Sequence, residues 1–469
     1  MKVIKIGGGC LDGGDTIADI MDLLTIHGRG NAVVVSALKG VTDSLLAGMR
    51  LALADEASIP DHIAGLRDLH YQTAAHLIPE GAHRSATLAT MDALLNRLER
   101  YYYGLNFTAE CTPRIEDLIA SVGERLCAHL LSGVMQARGV NAFCRLPEEI
   151  GLITDGKYGD ATANLKLTRR NFADRLQPQL GADTVVFIPG FYGVSKRGEI
   201  TTFGRGGSDY AAAVVAAALG VAVLEIWKDT RGFMSADPRK VPEATLIPTL
   251  SYAEAAELAY FGARILHPRT VEPVRGRKIP IAIKNTLDPS GPHSVIQSRS
   301  PRRRQVVKSV AYADDIGVLK VHASGVGARP GILAQVAGAV SEQGVNIKSV
   351  VTSQTCISLL LARADMERAR EGLKASRPRP YRRIEAVADI ALISIVGEGL
   401  RERQGIAARC FTAVAECDVN VEMISFGPSP AALYFLCRER DLDAAVTAIH
   451  ATFFGAPRCL LRPSEAGAS

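Results

Sequence analysis

Short runs of Val, Ile and Ala recur through the first 290 or so residues of the chain. Val3-Ile4-Lys5-Ile6, Ala32-Val33-Val34-Val35 and Thr184-Val185-Val186-Phe187-Ile188-Pro189 are apolar almost throughout. Runs of this length without polar alternation predict strands buried on both faces. The stretches between them, with apolar residues three and four apart, predict helices that cover those faces. Together they predict a mainly parallel sheet sandwiched by helices, an α/β plan. From about Asp43 to Leu131 the spacing is helical almost continuously. Between Asp288 and Gln305, Pro, Ser and Arg accumulate as they do in linkers. Beyond lies an internal repeat. Val318-Leu319-Lys320-Val321 matches Leu392-Ile393-Ser394-Ile395, Gly325 matches Gly399, and Gly331-Ile332 matches Gly405-Ile406. Val345-Asn346-Ile347 matches Val419-Asn420-Val421, so the offset stays at 74 residues. Each copy predicts strand, helix, strand, strand, helix, the small ferredoxin-like plan. The expected divisions are 1–288 for the α/β domain, 289–313 for a linker and leading strand, and 314–380 and 381–469 for the two copies.

Composition narrows the class. At 469 residues the chain is long enough for two to four domains with sizeable cores. Hydrophobic residues make up 47%, but the expectation is that no run is long enough to span a bilayer, so no membrane partner is expected. Met1-Lys2-Val3-Ile4 leads straight into a predicted core strand, so no signal peptide is expected. Nine scattered cysteines without a Cys-x-x-Cys pair predict reduced thiols, a cytoplasmic setting and no metal site. The net charge of +5 is small for this length and does not suggest a nucleic-acid partner; Arg302-Arg303-Arg304 reads as a solvated linker.

The candidate chemistry centres on Thr201-Thr202-Phe203-Gly204-Arg205-Gly206-Gly207-Ser208-Asp209-Tyr210, between a predicted strand and an Ala-rich predicted helix. Strand, glycine turn and helix start together make an anion site, where the backbone can approach a ligand and the dipole favours negative charge. Arg205 adds a fork for a carboxylate or phosphate. Ser208 and Asp209 stand where helix caps stand, and capping alone is the competing reading. Lys5 is a charge inside an apolar run that ends in Gly7-Gly8-Gly9. A phosphate chain is its natural partner, and snorkelling to water is the alternative. Further stretches are Ser36 with Thr42, Glu124-Arg125, Lys228-Asp229-Thr230-Arg231-Gly232, Ala236-Asp237-Pro238-Arg239, and Phe261-Gly262-Ala263-Arg264 running to His267-Pro268. Each has a structural alternative: Glu124 paired with Arg125 or Arg114, Asp237-Pro238 as an ordinary turn, His267 fixing a loop, Trp227 packing. Neither Gly-x-x-x-x-Gly-Lys-Ser/Thr nor the protein-kinase His-Arg-Asp and Asp-Phe-Gly motifs occur.

In this order, and with Leu258-Ala259-Tyr260-Phe261-Gly262-Ala263 and Leu266-His267-Pro268-Arg269-Thr270, the chain resembles the aspartate kinases over essentially its whole length. These are amino acid kinases followed by two ACT domains. The resemblance implies transfer of the γ-phosphoryl group of ATP to the β-carboxylate of L-aspartate, with Mg²⁺, as the first step toward lysine, threonine and methionine. It implies catalytic roles for Lys5, Gly8 and Asp209. Ser36, Thr42, Glu124, Arg205, Gly206 and Ser208 would bind substrate. Lys5, Gly7, Gly8, Gly9, Lys228, Asp229, Gly232, Asp237, Arg239 and Arg264 would bind nucleotide, with Asp209 and Asp229 orienting Mg²⁺ or its waters. An amino-acid effector, lysine or threonine, would bind near Ala328, Gly331, Ile332, Asn346 and Ile347, in a homodimer or higher homo-oligomer formed through the ACT domains. Members of the family often thread the segment before the first copy, here Val306–Ala313, into the second. The chain departs from the family at Gly9-Cys10, where a hydroxyl is usual, at Lys228 (commonly Thr), at Met234 (commonly Tyr) and at Arg264 (commonly Lys). Its loop Thr352–Ile357 is about two residues short. A family kinase acting on another small carboxylate, and a non-catalytic amino-acid sensor, are the alternative functions.

Overall fold

The computed structural model describes residues 1–262, 265–299, 306–377 and 381–455. It forms two compact units that interleave along the chain. The first is built from Met1–Phe233, Leu246–Ala256 and Arg264–Pro301, the second from Met234–Thr245, Glu257–Ala263 and Arg302–Ser469. Two short segments inside the expected catalytic range thus belong to the second unit. Long-range packing is the reason. Ala236 and Val241 sit in that unit's apolar cluster, Ser309 donates to the Met234 carbonyl (2.8 Å), and Ser235 Oγ lies 2.9 Å from His450 Nε2.

The first unit carries strands β1 (Val3–Ile6), β2 (Asn31–Val35), β3 (Asn141–Cys144), β4 (Thr184–Pro189), β5 (Tyr192–Val194), β6 (Ile200–Thr202), β7 (Leu224–Lys228), β8 (Thr249–Ser251), β9 (Ile281–Asn285) and β10 (Ser294–Gln297). Eight of them make one sheet in the order β3-β4-β2-β1-β7-β9-β10-β8, while β5 and β6 form a separate hairpin. All neighbours from β3 to β9 run parallel. Their carboxyl ends therefore share one edge, where the loops after β1, β2 and β7 open. In such sheets this is the edge where ligands bind. Ile4, Ile6, Val33, Val35, Val185 and Phe187 face a core shared with helices Gly14–His27, Ser58–Leu77, Ala82–Thr108 and Val122–Ala137. By strand alternation Lys5 faces the other way, and the Ala-rich helix Gly207–Leu219 packs against β1, β2 and β7.

The second unit holds two four-stranded sheets made from β11 (Ser309–Ala313), β12 (Ile316–His322), β13 (Ser349–Thr352), β14 (Cys356–Ala362), β15 (Arg383–Val387), β16 (Ile390–Val396), β17 (Met423–Phe426) and β18 (Ala432–Arg438). Their orders are β11-β16-β18-β17 and β13-β14-β12-β15. The strand ahead of the first repeat pairs antiparallel with β16 of the second, and β15 pairs with β12 of the first. Each sheet thus takes one strand from across the expected boundaries. The repeat extends to the turns: the N–H groups of Ala328 and Arg329 bond to the Gly325 carbonyl, and those of Glu402 and Arg403 to Gly399. Gly331 and Gly405 begin helices Ile332–Ser341 and Ile406–Ala415 in the left-handed region.

The expectation that no apolar run reaches membrane length needs correction. The adjoining helices within Pro113–Ala137 pass by length and composition, with 89% of the apolar window buried inside the fold. Burial as a core helix accounts for the composition.

Candidate active site

A cavity of about 580 Å³ opens at the carboxyl edge of the sheet in the first unit. Lys5, Gly8, Gly9, Ser36, Thr42, Glu124, Arg205, Gly206, Ser208 and Asp209 all line it. These residues come from four separate stretches of sequence, and the fold brings them to one cavity.

Lys5 leaves the central strand toward Asp209, and the two charges lie 2.5 Å apart, nearly excluded from water. The contact is a close, buried ion pair. Lys228 donates to the other oxygen, Oδ2, at 3.3 Å. One carboxylate therefore anchors two ammonium groups, leaving a net positive cluster beside the glycine turn. Burial lowers the Lys5 pKa, and Asp209 only partly restores it. Burial alone would raise the Asp209 pKa, but Lys5 and Lys228 outweigh it and hold the carboxyl below its usual value. The bridging role of Asp209 also separates it from the capping reading. Gly206 occupies the N-cap in the left-handed region (φ 71°), with no side-chain cap, so Ser208 and Asp209 fall in the first turn of the helix. A Cβ on Gly206 would lie 2.4 Å from His267 Cβ, so glycine is required there by packing as well as by φ. His267 caps the short turn Pro268–Thr270 by accepting from the Arg269 N–H, consistent with a loop-fixing residue.

Glu124 projects from the first turn of Val122–Ala137 and is 3% exposed. It does not pair with Arg125, which reaches Glu148 at 2.8 Å instead. Ser208 donates to Glu124 Oε1 at 3.2 Å, while Oε2 has no hydrogen-bond partner among the described residues. Burial pushes its pKa up to about 8, and the Ala37 and Glu124 backbone, the Ser208 hydroxyl and the Lys5 charge counter this only in part. A buried carboxyl with one unused oxygen is suited to a cationic ligand group, which would supply what burial removed.

On the turn after β1 the structure narrows the expected donors. The Gly7 N–H bonds to the Trp227 carbonyl (3.2 Å) and extends the sheet, so Gly8 and Gly9 are the glycines left facing the cavity. A Cβ on Gly9 would meet only Asp229 Oδ2, at 3.9 Å, so the missing family hydroxyl reflects substitution and not crowding. Cys10 is buried beside Thr286 (3.6 Å) and the Trp227 carbonyl (3.9 Å), and burial raises its pKa above the ordinary thiol value. We expect iodoacetamide at neutral pH to leave Cys10 unmodified in the folded protein while labelling exposed Cys111 and Cys417. Peptide mass mapping checks this, and early labelling of Cys10 would show an activated thiolate. Trp227 is buried, with its indole N–H on Glu225 (3.1 Å), consistent with packing.

Other expected residues lie elsewhere. Gly232 (φ 128°) packs against Ser294. Asp237 and Arg239 belong to the second unit, where Arg239 and Tyr312 both donate to the Asp237 carboxylate. Burial works against the low Asp237 pKa of about 2, which the Arg239 hydrogen bond produces first of all. Arg264 lies outside the described residues. Ala328, Gly331 and Asn346 are exposed in the first repeat, whereas Ile332 is buried and Ile347 packs on its core. The cavity also recruits Lys39, Asp43, Glu116, Asp117 and Phe191, which sequence reasoning missed. Lys39 follows the small-residue loop after β2 and pairs with Asp12 at 2.5 Å, a signal that was readable. Among the described residues no group of three or more His, Cys, Asp and Glu is arranged to hold a metal ion. Asp209 and Asp229 are nonetheless hard oxygen donors close to the glycine turn, which suits a magnesium ion carried mainly by nucleotide phosphates.

Comparison with known proteins agrees with this geometry. The amino acid kinase family model matches residues 1–285, and an ACT domain model matches residues 393–453. The chain is 30% identical to aspartokinase 1, chloroplastic, of Arabidopsis thaliana, covering 96% of this chain and 80% of that protein. It is also 30% identical to the bifunctional aspartokinase/homoserine dehydrogenase of Haemophilus influenzae, covering 97% of this chain and 56% of the relative. The chain thus spans about half the length of the bifunctional relatives it matches. Among solved structures, E. coli aspartokinase III in complex with aspartate and ADP matches with a TM-score of 0.78 at 25% identity, over 97% of this chain and 100% of that one. The same enzyme in complex with lysine and aspartate gives 0.80 at 25% identity, over 97% and 99%.

Proposed function

The chain belongs to the amino acid kinase family and, within it, to the aspartokinases, and on that footing we propose that it transfers the γ-phosphoryl group of Mg·ATP to the β-carboxylate of L-aspartate. The observation that carries this reading is the single cavity that joins the Lys5–Asp209–Lys228 charge cluster, the Gly8-Gly9 turn, Arg205 and Glu124. A carboxylate is a nucleophile at neutral pH, so the reaction needs alignment and charge neutralisation more than a base. Arg205 grips the α-carboxylate and Glu124 accepts the ammonium group. Ser36, Thr42, Gly206 and Ser208 shape the pocket around them. The β-carboxylate is thereby aimed at the glycine turn, where Lys5 offsets the negative charge that builds on the phosphoryl oxygens. Lys228, Asp229 and Gly232 lie on the nucleotide side, and Asp237, Arg239 and Arg264 remain nucleotide candidates on the resemblance alone. Asp209 holds the two lysines in place, and Asp229 orients magnesium-bound water.

We further propose the divisions 1–288, 289–313, 314–380 and 381–469 as functional domains, with amino-acid control through Ala328, Gly331, Ile332, Asn346 and Ile347. Lysine is the first effector to test, because the E. coli relative is found bound to it. A homodimer, a cytoplasmic location and a place in lysine, threonine and methionine synthesis complete the proposal.

The Glu124 environment makes a prediction about protons. Below about pH 8 the empty site holds Glu124 protonated, whereas an incoming ammonium group favours the carboxylate. Aspartate binding should therefore release a proton. Affinity should rise with pH by up to about tenfold per unit until it levels near pH 8. Calorimetry in buffers of different ionisation enthalpy measures the release, and Glu124→Gln should abolish both effects. Proton uptake, or pH-independent affinity in the wild type, would contradict the assignment. The activity itself is tested by trapping acyl phosphate with hydroxylamine.

A further inference from the structure

Asp117 lines the cavity yet spends its carboxylate on the protein. It is 2% exposed and sits on helix Pro113–Ala120. Its Oδ2 accepts from the N–H groups of Gly159 (2.9 Å) and Thr202 (2.9 Å), and its Oδ1 from the Thr202 hydroxyl (2.6 Å). These donors sit on the loop at Gly159 and at the end of β6, where the loop that carries Arg205 begins, and the two segments touch backbone to backbone. The Ala161 N–H bonds to the Thr202 carbonyl at 2.9 Å, and a Cβ on Gly204 would lie 2.8 Å from the Gly159 carbonyl oxygen. Arg269 ties the same two loops by their acceptors. Nη1 donates to the Phe203 carbonyl (3.1 Å) and Asp160 (2.7 Å), and Nη2 to the Ala161 carbonyl (2.7 Å). Its guanidinium lies 4.7 Å from the centre of the Tyr210 ring, in the helix that starts after Gly206. One acid takes the N–H groups and one base takes the carbonyls, and Arg205 is carried on the loop between them.

We propose that Asp117 and Arg269 are positioning residues that fix the Arg205 loop, so that recognition of the substrate's α-carboxylate depends on both without either touching the substrate. This rests on the kinase reading above. The two ties are not equally replaceable. In Asp117→Asn the amide oxygen still accepts from the Gly159 and Thr202 N–H groups. Its NH₂ can donate to the Thr202 hydroxyl, which accepts as well as donates. Lysine at 269 cannot present the planar fork that spans Phe203, Ala161 and Asp160.

The test measures KM for aspartate, KM for ATP and kcat by hydroxylamine trapping in wild type, Asp117→Ala, Asp117→Asn and Arg269→Lys. Hydrogen exchange over residues 156–163 and 202–207 is followed in each. Asp117→Ala and Arg269→Lys should raise KM for aspartate by about tenfold or more. The KM for ATP and kcat at saturation should change by less than about threefold, with faster exchange in both loops. Asp117→Asn should return KM and exchange to near the wild-type values. An unchanged KM for aspartate in Asp117→Ala, or equal losses in both KM values and kcat, overturns the proposal while leaving the kinase reading intact. A wild type without aspartate-dependent turnover overturns the kinase reading itself, and the proposal falls with it.

Discussion

Lys5→Ala lowers kcat by about 10²–10³-fold, the loss of roughly 3–4 kcal/mol of transition-state stabilisation expected when one preorganised charge is removed from a water-excluded site. The size follows from where Lys5 stands. It is buried, faces the glycine turn and is held by Asp209, so its charge acts where solvent screening is weak. Stability should change little, because Lys228 still neutralises Asp209 after the substitution. KM for aspartate should stay within a few-fold, since Arg205 and Glu124 are untouched. Steady-state kinetics with a thermal melt on the same sample separates these effects. A large fall in Tm accompanying the loss would show that Lys5 is chiefly structural.

Asp209→Asn loses both activity and stability. The carboxylate is the shared counterion of two lysines, and removing it leaves two adjacent cations, one of them buried. Breaking a buried charge pair from one side costs about 3–5 kcal/mol. The sign of the pH dependence can be worked out. Burial already lowers the Lys5 pKa in the folded protein, and the loss of Asp209 lowers it further. The folded variant then binds fewer protons than the folded wild type between its own Lys5 pKa and the higher, though already lowered, wild-type value. The stability deficit of Asp209→Asn should therefore shrink as pH rises through that window and be fully present below it. Melting curves across neutral and alkaline pH test this, and a deficit that grows with pH would mean that Lys5 is not the stranded group. Activity should fall at least as far as in Lys5→Ala, because both ammonium groups lose the carboxylate that aims them.

The parts of this molecule that sequence made legible are those whose signal is local. Lys5 is conspicuous as a charge in an apolar strand before three glycines, and the strand itself is read from Val3, Ile4 and Ile6. The repeat at constant offset was legible because its glycine turns recur with the same hydrogen bonds. Glu124 was different. Nothing near it distinguishes a ligand from a surface acid, and only the resemblance pointed to it before its burial against Ser208 appeared. Asp117 was missed because its partners lie 42 and 85 residues away, a distance no local pattern spans. For the same reason the segment Met234–Thr245 was read with the catalytic region. Its contacts to Ser309, Tyr312, Asp443 and His450 exist only once the second unit has folded. Gly7 shows the opposite limit. A glycine run reads as a row of phosphate donors, but the first N–H simply completes the sheet.

The most direct test of the central claim is hydroxylamine-trapped acyl phosphate formed from Mg·ATP, with L-aspartate run beside glutamate, N-acetylglutamate and buffer. The account predicts strong signal with aspartate alone, abolished by Lys5→Ala. Equal signal with glutamate or N-acetylglutamate, or none from a folded protein that binds aspartate, would contradict it.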